Sequence, residues 1–107
     1  MRIIARKTLR QFVDKLRGSK DYKVVKSALD AWFHEVEQAH WTNPADVRRA
    51  YTNASIVGSD RVVFNTKGNS HRLVVAVNYR LQIVFVKWLG SHAEYDRIDV
   101  RTVQYGN

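Results

Sequence analysis

The hydrophobic pattern of this chain changes period once, near residues 52–60, from helical spacing to alternation. That change limits the chain to helices followed by strands, because a 3.6-residue stripe and a two-residue alternation build different elements. In the first half, Leu9, Phe12, Val13 and Leu16 fall at i, i+3, i+4 and i+7, one face of a helix. Thr8 and Gln11 have the spacing of a capping box at its start. Gly18 supplies a C′ conformation at its end, and Ser19 a cap for the next helix. That second helix is expected from Lys20 to His40, burying Val25, Leu29, Trp32, Phe33 and Val36 while Lys23, Lys26, Asp30 and Glu37 face out. Asn43-Pro44-Ala45-Asp46 opens a short third helix, with Asn43 as N-cap, Pro44 at N1 and Asp46 favourable to the dipole.

In the second half, Arg61 to Asn65, Arg72 to Tyr79 and Leu81 to Trp88 are rich in Val, Phe, Ile and Tyr and read as strands. Lys67-Gly68-Asn69-Ser70 and Asn78-Tyr79-Arg80 lie between them as turns, giving an antiparallel meander. Arg2 to Ala5 adds a short β-like opening, and Val100 to Tyr105 a last strand. The expected architecture is an α+β domain spanning residues 1–107, a small antiparallel sheet with two main helices on one face. A length of 107 residues suits one domain and leaves no room for two.

Composition narrows the function. No cysteine occurs, which excludes disulfides, thiolate catalysis and Cys-based zinc sites. The four histidines, His34, His40, His71 and His92, lack metal-ligand spacing, and no glycine-rich nucleotide motif is present, so neither metal nor cofactor is expected. No apolar run is long enough to span a bilayer, and the charged start Met1-Arg2-Ile3-Ile4-Ala5-Arg6-Lys7 does not resemble a secretory segment. A cytoplasmic protein without membrane contact is expected. Eighteen Lys and Arg against ten Asp and Glu give a net charge of +8, a balance suited to a polyanionic partner such as nucleic acid. Nine of the cations fall in the first 26 residues, opposed only by Asp14 and Asp21.

Polar residues that could carry chemistry gather at strand ends and turns. Asn65, Lys67, Asn69 and Arg72 bracket the first sheet turn, and Lys87 precedes Trp88. Ser91-His92-Ala93-Glu94-Tyr95-Asp96-Arg97 follows. His, Lys and Tyr move protons, and Arg grips a phosphate bidentately. Metal-free RNA cleavage needs these functions: activation of a 2′-OH, stabilisation of phosphate charge, and protonation of the 5′-oxygen. Each residue also has a structural explanation. Arg72 and Lys87 suit edge-strand gatekeepers, His92 suits a turn or short helix after Gly90-Ser91, and Tyr95 suits the core.

From Arg61 onward the chain resembles the HigB branch of the RelE-like toxins. The resemblance rests on Val63-Phe64-Asn65, Gly68-Asn69, Arg72-Leu73-Val74-Val75, the late-strand cation Lys87 and His92-Ala93-Glu94-Tyr95-Asp96. It implies a metal-independent ribonuclease that cuts messenger RNA at the ribosome. It also implies a helix-turn-helix antitoxin of the HigA kind, with operator DNA bound only through the toxin–antitoxin complex. His92, Arg72, Lys87 and Tyr95 are then the expected catalytic set, with Asn65, Lys67, Asn69, Asp96 and Arg97 holding RNA. His92 is the leading acid or base because imidazole titrates near neutrality. Two other classes stay open on the residues: a non-catalytic RNA- or ribosome-binding module, and an interaction subunit whose basic face binds an acidic protein or DNA.

Overall fold

In the computed structural model, which describes residues 1–66 and 70–104, the alternating half of the chain forms the sheet on which everything else is placed. The elements in chain order are β1 (Arg2–Ile4), α1 (Arg6–Asp14), α2 (Tyr22–Gln38), α3 (Pro44–Ala50), β2 (Ser55–Val57), β3 (Arg61–Asn65), β4 (His71–Asn78), β5 (Ile83–Ser91) and α4 (His92–Tyr95). The sheet order is β1-β5-β4-β3-β2. The three later pairings are antiparallel, as the meander requires, whereas β1 runs parallel to β5. The sheet is therefore mixed rather than purely antiparallel. A chain that returns to its first strand through intervening helices can add a parallel neighbour.

The helices form where their apolar stripes lie, with ends set by local chemistry. Leu9 and Val13 of α1 and Val25, Leu29, Trp32 and Val36 of α2 are buried. No capping box forms at Thr8 and Gln11: α1 begins at Arg6 on an extended Ala5, without a side-chain cap. The chain leaves β1 at Ile4 and turns at once, so Thr8 is already inside the helix. Gly18 takes φ +87°, the left-handed conformation a glycine tolerates. Ser19 Oγ accepts the Asp21 N–H at 3.1 Å, which delays α2 to Tyr22. At α3, Asn43 Oδ1 accepts the Asp46 N–H at 3.1 Å, and the Asp46 carboxylate accepts the Thr42 N–H at 2.9 Å.

One face of the sheet meets the helices. Val62, Phe64, Leu73, Val75, Val77, Val84, Val86 and Leu89 join the helical stripes in one core. Phe64 sits among aromatic rings, 5.5 Å from Trp32 and 5.0 Å from Tyr51, centroid to centroid. The Tyr51 hydroxyl donates to Glu35 at 2.5 Å, and burial together with that bond pushes its pKa well above the tyrosine range.

The sheet gains one strand that was not expected, and one expected strand is replaced by a turn. The three-residue strand β2 was not legible in the sequence, being too short to alternate. Residues 100–102 make a turn, not a strand, and Val103 N–H donates to Asp99 O at 2.9 Å. Tyr105 lies outside the described residues. The reason is Arg61, only 8% exposed, whose Nη1 donates to Val100 O at 3.3 Å and Val103 O at 2.7 Å. Those carbonyls bend the chain around a guanidinium, which a strand ladder would not allow. Among the described residues no helix is long and apolar enough to cross a membrane.

Leu73 lies fully buried in β4, paired with Phe64 on one side and Leu89 on the other. Leu73→Ala should lower the unfolding free energy by about 2–5 kcal/mol, measured by urea denaturation. A cost under about 1 kcal/mol would mean that β4 is not the centre of the core.

Candidate functional site

Cross-strand partners share a face, so the register of the sheet decides which polar side chains meet. Asn65 pairs with Arg72, and Arg72 with Gly90. The next row is Val63, Val74 and Trp88, and the row beyond it contains Arg61, Ala76 and Phe85. These rows lie on the face away from the core helices, because Phe64, Leu73 and Leu89 occupy the other.

The pairing of β4 with β5 is irregular between Val74 and Val75. Val75 pairs with Val86 and Val74 with Trp88, which leaves Lys87 as the extra residue. The outer ring of Trp88 lies close against Gly90: a Cβ added there would come within 2.4 Å of the indole Cη2 and Cζ2. Tyr95 meets Trp88 with a centroid separation of 6.3 Å, and the Arg72 guanidinium carbon lies 5.8 Å from the Tyr95 ring centroid. Arg72, Tyr95 and Trp88 thus form a continuous cationic and aromatic surface. Such a surface can hold phosphate and stack bases.

The short helix α4 carries Tyr95 into this position. Ser91 Oγ accepts the Glu94 N–H at 3.1 Å, and the Glu94 carboxylate accepts the Ser91 N–H at 2.9 Å, a complete capping box. The His92 N–H donates to Ser70 O at 3.0 Å, which ties the start of α4 to the chain entering β4. The Ser91 N–H is also the main reason that the Glu94 carboxyl stays below its ordinary pKa of 4.5. The Ser91 side chain and the charges of His71 and Arg97 add to that effect against partial burial.

The other candidates are less concentrated. His92 is exposed on α4, with Nδ1 3.7 Å from Asp96 Oδ2 one turn later. Lys87 leans over Phe85, its ammonium 5.4 Å from the ring centroid, rather than toward Arg72. Asn65 stands opposite Arg72, but its Nδ2 donates to Asn53 O at 3.3 Å. Arg97 is exposed just after α4. Lys67 and Asn69 lie outside the described residues. Among the described residues no group of three or more His, Asp or Glu side chains is placed to hold a metal ion.

Trp88, Gly90 and Glu94 were missed as members of the site. Two signals in the sequence point to them. Ser91-x-x-Glu94 is a written capping box, and a glycine within an otherwise apolar strand marks a close approach.

A mixed five-stranded sheet with helices on one face, ending in this short C-terminal helix, is compatible with the fold of a RelE-like toxin. The family model HigB_toxin, the RelE-like toxic component of a toxin-antitoxin system, matches residues 25–98, and the chain belongs to that family. It is therefore a toxin with an antitoxin as its partner. A search of curated proteins gives no match. The matched span includes Arg72, Lys87, His92 and Tyr95, while α1 lies before it.

The cap of α4 gives the site a pH dependence. A carboxyl held below its ordinary pKa stabilises the helix above that value and loses the effect as pH falls through the lower folded value. The helical Cα shifts of residues 92–95 should persist at pH 5 and collapse toward coil at a pH below 4.5. Ser91→Ala should weaken α4 at every pH, by about 1 kcal/mol. Unchanged shifts in the alanine variant would show that packing alone holds α4.

Proposed function

We propose that this toxin is an endoribonuclease that cuts messenger RNA on translating ribosomes without a metal ion. The observation that carries the reading is the Arg72 guanidinium over Tyr95, with Trp88 continuing the surface and His92 on the same short helix. Membership of a RelE-like toxin family supports it. A helix-turn-helix antitoxin of the HigA kind would hold the enzyme in check in the cytoplasm, and operator DNA would be reached only through that complex.

In the mechanism, the 2′-hydroxyl loses its proton and its oxygen attacks the adjacent phosphorus. The new O2′–P bond forms as the P–O5′ bond breaks, and the 5′-oxygen takes up a proton, leaving a 2′,3′-cyclic phosphate and a 5′-hydroxyl. Arg72 stabilises charge on the phosphorane oxygens. His92 moves one of the two protons, and Asp96, facing its Nδ1, orients the ring. Tyr95 stacks on an unstacked base or shares in proton transfer. Lys87 adds a second cation once its side chain swings away from Phe85. Asn65, Lys67, Asn69 and Arg97 hold the strand.

A single 2′-deoxy substitution at the cut site should abolish cleavage and leave binding nearly intact, because phosphate contacts dominate affinity. Cleavage should survive EDTA once ribosome integrity is controlled. His92→Ala should slow the single-turnover rate by about 10²–10⁴-fold, and Arg72→Ala by about 10²-fold. Persistent cutting of the deoxy substrate would eliminate this mechanism, and soluble protein that never cuts RNA would leave the binding-module reading.

Induction of the protein alone in bacteria should arrest growth and deplete translated transcripts, and coexpression of the antitoxin should reverse both. Normal growth with intact transcripts, soluble protein being confirmed, would count against the assignment.

A further inference from the structure

The surface formed by Arg72, Tyr95 and Trp88 ends at the indole, and an open cavity of about 300 Å³ lies behind it. Trp88 and Gly90 of β5 form one wall, Phe12 of α1 and Lys15 at its C-cap another, and His71 and Glu94 are also in the lining. His71 is only 5% exposed, its Nδ1 3.0 Å from Ser70 Oγ. The Lys15 ammonium sits 5.5 Å from the Phe12 ring centroid, at the α1 side. The size is at the lower end of the range for small-molecule sites, about 300–1,000 Å³.

The chemistry of the lining selects among flat ligands. The Trp88 indole offers an aromatic surface for stacking. Glu94 accepts hydrogen bonds and donates none when ionised, the state its cap favours near neutrality. One carboxylate oxygen accepts the Ser91 N–H, and a carboxylate retains further acceptor capacity. Lys15 donates and cannot accept. A base suited to this set presents adjacent donors to a carboxylate and acceptors to an ammonium. Guanine does so, with N1–H and N2–H₂ side by side and O6 and N7 beyond. Adenine has no N1–H, cytosine offers only its amino group, and uracil only N3–H.

We propose that this cavity is a guanine subsite for a nucleotide flanking the scissile phosphate, with Trp88 stacking, Glu94 accepting from N1–H and N2–H₂, and Lys15 donating to O6. The proposal rests on the ribonuclease reading, since only RNA threaded along Arg72 and Tyr95 would present a base there. Lys15 precedes the span that matches the family model, so this half of the subsite belongs to the chain's own N-terminal segment.

Binding can be tested without cleavage, by titrating the free protein with 3′-GMP, 3′-AMP, 3′-CMP and 3′-UMP and following tryptophan emission. Trp32 and Trp41 are each 5% exposed, so Trp88 is the indole that a nucleotide can reach. The guanine nucleotide should quench saturably and bind about tenfold more tightly than the adenine nucleotide, the discrimination of one bidentate pair. Glu94→Gln retains a residue suited to the capping box but sets an amide N–H against a guanine N–H, and should erase that preference. Lys15→Ala should weaken binding several-fold and leave the helical shifts of α4 unchanged. Equal affinity for all four nucleotides, no quenching, or a preference that survives Glu94→Gln would each overturn the proposal. Guanine binding by a protein that cuts no RNA would instead refute the ribonuclease reading and keep the subsite. Cleavage indifferent to guanine would do the opposite.

Discussion

The irregular pairing of β4 with β5 is the constraint on which the site depends. Before the irregularity, Val84 and Val86 of β5 point into the core; after it, Leu89 does. Strict alternation from Val84 would have sent Trp88 inward with them and turned Leu89 out. The extra residue, Lys87, reverses the parity. Trp88 and Gly90 therefore come to the face that carries Arg72, while Leu89 keeps its place opposite Leu73. One inserted residue converts a plain core strand into one whose first half holds the fold and whose second half holds the site.

That conversion also explains what could be read from the sequence. The stripes of α1 and α2, the Asn43-Pro44 start of α3 and the limits of β3 are written locally, in spacing and caps, and they match the structure. The parity change of β5 is not written locally, because Lys87-Trp88-Leu89 reads equally well in either register. The parallel partnership of β1 and the turn near Val100 are likewise tertiary choices. The first depends on helices bringing distant strands together, the second on a buried Arg61 with carbonyls to satisfy.

The candidate site was legible as residue types and less so as geometry. Arg72 and Tyr95 do meet, and His92 faces Asp96. Lys87 lies on β5 next to Trp88 yet turns to Phe85, so sequence proximity overstated its convergence. The residues that organise this surface, Gly90 and Glu94, were overlooked because their part in it is to place other side chains. Their work is positional: one makes room for an indole, and the other fixes the helix that presents Tyr95.

The contact between Trp88 and Gly90 has a consequence for descent as well as for shape. A methyl group at position 90 would occupy the space of the indole's outer ring, so position 90 is free to vary only after position 88 has become smaller. A lineage that replaced the tryptophan with a smaller residue would release the glycine, whereas one that gained a side chain at 90 first would lose the aromatic wall in the same step. Relatives of this toxin that keep the tryptophan should therefore keep the glycine, and a side chain at 90 should appear only beside a smaller residue at 88.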